Sequence, residues 1–141
     1  MAYQADIEID LSDHITSNYI ISSQHRRTGN ANKSLWIIDF EAEVLCFIDT
    51  VNNNWIEGCE AWGLIIENAT LQVVGVLNNR ELKLAKFVDG TNNNVWHGYP
   101  ADHMTKSQDR PTTGILKSWV TQGFISKAKM NKIRQGQLCY L

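Results

Sequence analysis

W-H-G-Y-P-A-D-H-M-T-K-S-Q-D-R-P, residues 96–111, is the stretch on which the fold turns, because strand-like patterning precedes it and helix-like patterning follows. It holds two of the four histidines, both prolines and a tryptophan–tyrosine pair. The run Gly98-Tyr99-Pro100 beside Trp96 predicts a sharply turned backbone held by aromatic packing. We read the stretch as a junction loop between a mainly β body (residues 1–95) and a helical pair (residues 112–136), all within one domain spanning 1–141.

Upstream, the strongest apolar signal lies at residues 35–50. Trp36, Ile38, Phe40, Ala42 and Val44 step by two while Asp39, Glu41 and Glu43 take alternate positions, which predicts a strand. The apolar run Leu45-Cys46-Phe47-Ile48 then suits a central strand covered on both faces. Asparagine clusters at 52–54, 78–79 and 92–94 predict turns, because asparagine tolerates left-handed backbone and bonds its own neighbours. They divide the middle of the chain into strands at 60–67, 71–77 and 81–88, with hairpin turns at Asn68-Ala69 and Asn78-Asn79. An antiparallel meander over 36–88 follows. Residues 5–11 also alternate, with Ile7, Ile9 and Leu11 on one side and Asp6, Glu8 and Asp10 on the other. Between them, residues 12–34 are polar, and 22–32 read as a loop in which His25-Arg26-Arg27 is within reach of phosphate.

Downstream, Pro111 sits where the first turn of a helix tolerates it. Ile115, Leu116, Trp119 and Val120 recur at helical spacing up to Gly123 in the position after the cap. Ser126 caps a second helix with Met130 and Ile133 inward, Lys127, Lys129, Lys132 and Arg134 on its other faces, and Gly136 as its stop. Phe124 and Ile125 fill the joint. The fold class is therefore α+β: an antiparallel meander sheet of four to six strands with a C-terminal two-helix lid.

Composition narrows the function. A chain of 141 residues with 43% hydrophobic and 20% charged residues buries one core. The N-terminal sequence has no basic or apolar signal region and no apolar run is long enough to span a bilayer, so the expectation is a cytoplasmic protein with no membrane partner. Three cysteines without CxxC or a Cys/His cluster predict neither disulfides nor a metal site, and leave Cys46 and Cys59 as reduced core residues. With no glycine-rich phosphate loop and no βαβ pattern, no cofactor is expected.

Charge is divided unevenly. Residues 1–100 carry six Lys and Arg against thirteen Asp and Glu, a balance of −7, whereas residues 101–141 carry seven against two, a balance of +5. Either the basic tail docks on the acidic body or it meets an anion from outside.

Three functional expectations follow. The first is a non-enzymatic binding protein that recognises an anionic partner, a nucleic acid or a phosphate-bearing ligand, through the junction loop and the basic helix. Its contacts would come from Trp96, Tyr99, Lys129, Lys132 and Arg134, with Trp62, Trp96 and Tyr99 as a stacking platform. The helical pair resembles a helix-turn-helix, although two helices of about ten residues fall short of the bundle such units belong to. The second is a metal-independent phosphodiesterase or ribonuclease in which His97 and His103 exchange protons and Arg110 stabilises the developing charge. The third is an inhibitor or immunity-type protein that offers the acidic row Asp6, Glu8 and Asp10 to a basic protein.

Overall fold

Local backbone chemistry sets the element boundaries. Asn54, Asn68, Asn78, Asn79, Asn92 and Asn94 all have positive φ, between 50° and 67°, as asparagine permits at low cost. In a computed structural model that describes residues 3–28 and 32–141, these turns separate short elements. In chain order they are β1 (Glu8–Ile9), β2 (Asn18–Ile20), β3 (Leu35–Trp36), α1 (Phe40–Asn52), β4 (Ile56–Glu57), β5 (Glu60–Gly63), β6 (Ile66–Glu67) and β7 (Thr70–Leu71). There follow β8 (Gly75–Leu77), β9 (Arg80–Leu82), β10 (Leu84–Val88), β11 (Val95–Ala101), α2 (Thr113–Thr121) and α3 (Lys127–Arg134). Asn68-Ala69 and Asn78-Asn79 form the two-residue turns of the β6–β7 and β8–β9 hairpins, with both central residues left-handed as such tight hairpins require.

The three α-helices among the described residues end alike. After α1, the Asn54 N–H donates to the Val51 carbonyl and the Trp55 N–H to that of Thr50. Gly123 and Phe124 repeat this onto Val120 and Trp119, and Gly136 and Gln137 onto Ile133 and Lys132. Each pair satisfies carbonyls that a helix end leaves open, with Asn54, Gly123 or Gly136 in the left-handed position. At the other end of α3, the Ser126 hydroxyl accepts from the Lys129 N–H at 3.1 Å, as the sequence predicts.

The segment read as a strand over 35–50 is the main correction. Only Leu35 and Trp36 are β; from Phe40 the chain is helical. The Asp39 carboxylate accepts from the Ala42 N–H at 2.8 Å, and Glu41 and Glu43 stand in the first turn, where acids favour the helix dipole. Val44, Phe47 and Ile48 are buried at helical spacing, with Phe40 and Val51 packed against the same core. The two-step alternation ends at Val44, one turn into this pattern.

Sheet order is β1-β2-β11-β10-β5-β4. Every pairing in it is antiparallel except β2 with β11, which is parallel. The predicted meander is interrupted, because β5 pairs with β10 while β3-β8-β9 and β6-β7 form small separate sheets. Between residues 5 and 11 only Glu8 and Ile9 are strand; Ile7 is 54% exposed and Asp6 is left-handed. The acidic row is thereby broken, with Asp6 accepting from the Ser23 N–H, Glu8 from the Asn18 amide and Asp10 from the Ser12 N–H. Part of the polar loop predicted at 22–32, residues 29–31, lies outside the described residues.

Two cores flank the large sheet. On one face, Ala61, Ala85, Phe87 and Trp96 meet Val44, Phe47 and Ile48 of α1. On the other, Trp62, Leu84 and Ala101 meet Ile115, Leu116 and Trp119 of α2 and Met130 and Ile133 of α3. The period of two along each strand makes this separation possible. The result is one small α+β domain whose sheet is covered by α1 on one side and the two-helix lid on the other. Among the described residues no helix is long and apolar enough to cross a membrane.

Candidate functional site

The first half of the junction is strand, not turn: β11 runs from Val95 through Ala101. Pro100 is accommodated because its carbonyl turns to the Ser34 hydroxyl at 2.7 Å, away from β10. A strand residue's N and C=O point the same way, so the missing N–H falls on a side without a ladder partner. Beyond Trp96, where β2 no longer pairs, Ser34 and Trp36 line that side, and the Trp36 indole donates to the Gly98 carbonyl at 3.3 Å.

Alternation along β11 divides the predicted site residues. Trp96 enters the core under α1, 5.8 Å from the Phe47 ring, and its indole N–H donates to Asn94 Oδ1. His97 and Tyr99 face the other way. Trp62 is also buried, donating to the Asp109 carbonyl at 3.0 Å. The predicted platform of Trp62, Trp96 and Tyr99 is therefore not assembled, because the pleat sends Trp96 and Tyr99 to opposite faces.

His97 and His103 are likewise not brought together. His97 pairs across the sheet with Val88, and the four strand steps from it to Ala101 alone extend about 13 Å. His103 lies past the strand end, buried, with Nε2 2.9 Å from the Gln137 carbonyl. Arg110 Nε donates to the His103 carbonyl at 2.9 Å, and the Arg110 guanidinium fills the space beside Gly136. Both residues thus fasten the junction to the end of α3. Beside them, Arg80 forms a two-pronged ion pair with Asp102, at 2.9 and 2.6 Å. This pair, His103, Leu82, Leu84 and Tyr140 contribute to the wall of a cavity of about 340 Å³. Burial raises the Asp102 pKa, but hydrogen bonds from Arg80 and Thr105 and the Arg80 charge outweigh it and hold the carboxyl at about 2.

The lid-side face of β11 gathers a different set. His25, from the turn after β2, stacks on Tyr99 with ring centres 5.0 Å apart and an angle of 18°. Its Nδ1 lies 2.9 Å from the Ser34 carbonyl, which only accepts, so Nδ1 carries the proton and Nε2 keeps a lone pair in the neutral ring. The Tyr99 hydroxyl donates to Asp109 Oδ1 at 3.0 Å, while Asp109 Oδ2 accepts from the Asp102 N–H. Next to Tyr99 across the sheet, Lys86 is 2% exposed, paired with Glu60 at 2.9 Å and donating to the Gln108 carbonyl. Its ammonium lies 5.1 Å from the centre of the Trp62 ring.

Electrostatics on this face follow from burial and neighbours. Burial lowers the His25 pKa against the Ser34 hydrogen bond, and the charges of Lys33 and Lys106, with that of His97 when it is protonated, lower it further. His97 is also lowered by burial, with Asp89 opposing. Both rings are mainly neutral at pH 7. Tyr99 is raised by burial, then by the charge and hydrogen bond of Asp109 and by Glu60, and stays a phenol. His25 is the residue whose place beside Tyr99 the sequence alone does not reveal. The basic triplet pointed to phosphate contact, but its meeting with Tyr99 depends on the parallel pairing of β2 with β11.

Lys127, Lys132 and Arg134 of α3 are exposed and Lys129 is half-buried. Among the described residues, no ion pair includes any of these four, Lys117 or Arg110. No group of three or more His, Cys, Asp or Glu among the described residues is arranged to hold a metal ion. No family model, curated protein or solved structure matches the chain.

Proposed function

We propose that the protein is a non-enzymatic binding module for an anionic partner, a nucleic-acid strand, engaged by the basic face of α3 beside the junction. The observation that carries this reading is the uncompensated charge of the C-terminal segment. Its two acids are already committed, Asp102 to Arg80 of the body and Asp109 to Tyr99. Among the described residues the body's remaining ion pairs, Arg26 with Glu43 and Lys86 with Glu60, are internal to the body. The cations of α3 are therefore left for an outside anion rather than for docking on the acidic body.

The test is binding to labelled single-stranded RNA and DNA, read by fluorescence anisotropy. If Lys127, Lys129, Lys132 and Arg134 each meet one phosphate, log K falls with log salt at a slope of about −2.8, an affinity loss of about fiftyfold between 50 and 200 mM salt. Lys129→Glu with Lys132→Glu halves that slope. Absence of binding at 50 mM salt, or an unchanged slope in the double variant, overturns the proposal.

A further inference from the structure

We propose that the cavity bounded by β9, the start of β10, the junction and residues 138–141 receives a guanine base, read by the guanidinium of Arg80. The assignment deepens the anionic-partner reading, and rests on it for the choice of a nucleobase among small neutral rings. At about 340 Å³ the cavity is at the small end of ligand sites, which run from about 300 to 1,000 Å³. Its apolar wall comes from the buried Leu82, Leu84 and Ala101 and from the exposed Leu138 and Tyr140. Residues 138–141 are held at several points. The Gln137 carbonyl just before them meets His103, Cys139 Sγ donates to the Lys129 carbonyl at 3.9 Å, and Lys83 donates to the main-chain oxygen of Leu141. The cavity wall is thereby tied to α3, the helix proposed to meet the phosphates.

Arg80 supplies the recognition because only part of its fork is used. Nη1 donates to Asp102 Oδ1 at 2.9 Å and to Met104 Sδ at 3.5 Å, and Nη2 donates to Asp102 Oδ2 at 2.6 Å. The Nε–H and the second Nη2 hydrogen have no partner among the described residues. These two donors lie side by side on one edge of the planar group. The side chain is 33% exposed and its Nε is not sealed in the fold, so a ligand can reach that edge. Asp102 also accepts from the Met104 N–H and the Thr105 hydroxyl, which fixes the guanidinium plane before a ligand arrives.

Charge decides between an acid and a neutral ring. Arg80 and Lys83 line the cavity against Glu81 and Asp102, so the wall is balanced. A carboxylate or phosphate on the open edge would share a guanidinium that Asp102 already neutralises, and would set an unbalanced charge against apolar side chains. A neutral ring adds none. His103 contributes the complementary group. Its Nε2 lies 2.9 Å from the Gln137 carbonyl, which only accepts, so Nε2 holds the proton and Nδ1 keeps a lone pair in the neutral ring. Two donors in one plane and an acceptor on the same wall suit guanine, whose O6 and N7 accept side by side and whose N1–H donates. Adenine has an amino donor where guanine has O6, and cytosine in a nucleoside has no ring N–H.

Guanosine titrated into the full chain, followed by the methyl NMR signals of Leu82, Leu84 and Leu138, tests the site. Saturable shifts of these methyls are expected, with adenosine and cytidine weaker by about tenfold or more. 7-Deazaguanosine, which lacks the N7 acceptor, is expected to bind the unaltered protein about fivefold more weakly or worse, a readout that needs no variant to fold. Arg80→Lys keeps a cation opposite Asp102 but has no planar fork, and is expected to weaken guanosine by about tenfold. An oligonucleotide with one guanine, compared with the same oligonucleotide carrying 7-deazaguanine there, distinguishes a base held within a chain from a free nucleoside. The proposal is overturned if neither guanosine nor the guanine oligonucleotide shifts the Leu82 and Leu84 methyls, or if the 7-deaza ligands bind as tightly as their parents. Oligonucleotide binding that depends on Lys129 and Lys132 without those shifts sinks the site alone. Guanosine binding with no oligonucleotide binding sinks the proposed function alone.

Discussion

Gly98 separates the two site-facing residues of β11, and Gly98→Ala is the sharpest test of how this strand is seated. A Cβ there lies 2.7 Å from Phe87 Cε1 and 2.7 Å from the Tyr19 hydroxyl, and closer still to Phe87 Cδ1. The Phe87 ring cannot swing aside, because Phe47 at 5.2 Å, Tyr19 at 5.9 Å and Trp36 at 6.4 Å hold it. Nor is Tyr19 free, since its hydroxyl donates to Glu43 at 2.5 Å within the same core. Overpacking against such fixed neighbours costs about 2 to 3 kcal/mol, which for a domain of this size lowers Tm by about 5 to 10 °C. Chemical denaturation gives the free energy and calorimetry the shift. Phe87→Leu, which removes the obstructing ring edge, costs about 1 to 2 kcal/mol alone. Combined with Gly98→Ala it is less than additive by about 1 kcal/mol or more, because one substitution vacates the space the other needs. Strict additivity, or a Gly98→Ala cost below about 0.5 kcal/mol, refutes the close approach of β10 and β11 on which the argument depends.

Glu43, fully buried and bonded to Arg26 at 2.6 Å and to the Tyr19 hydroxyl, anchors the turn that carries His25 to α1. Glu43→Ala strands the Arg26 charge and costs about 3 to 5 kcal/mol, whereas Tyr19→Phe costs about 1 kcal/mol; equal costs by guanidinium titration contradict this ordering. Asp102, held at about 2 in the folded protein against an ordinary 3.8, contributes stability above pH 4 that is lost as pH falls through 2. Urea titrations between pH 2 and 5 read this loss, and Asp102→Asn flattens it; a wild-type stability that is level across this range disproves the assignment.

Much of the architecture was legible in the residues because it is local. Asparagine at left-handed positions, the Gly123 and Gly136 helix stops, the Ser126 cap and the inward set Ile115, Leu116, Trp119, Met130 and Ile133 each depend on a few neighbouring residues. Residues 35–50 carry two conflicting patterns for a reason that is also local. A run with apolar residues at 36, 38, 40, 42 and 44 satisfies a period of two, while Asp39 as cap and the 40, 44, 47, 48, 51 set satisfy the helix. The cap bond to Ala42 and the space left by Gly63 opposite Cys46 and Thr50 favour the helix.

Sequence by itself therefore determined the fold class, the helical lid, the turns and the charge asymmetry, since composition and nearest-neighbour chemistry suffice for these. Which side chains of the junction share a surface was decided only by tertiary structure. Pleating parts Trp96 from Tyr99, the end of β11 parts His97 from His103, and the parallel pairing of β2 with β11 brings His25 onto Tyr99 from 74 positions away. No spacing within residues 96–111 encodes that meeting, because half of it lies in a loop whose position depends on the sheet.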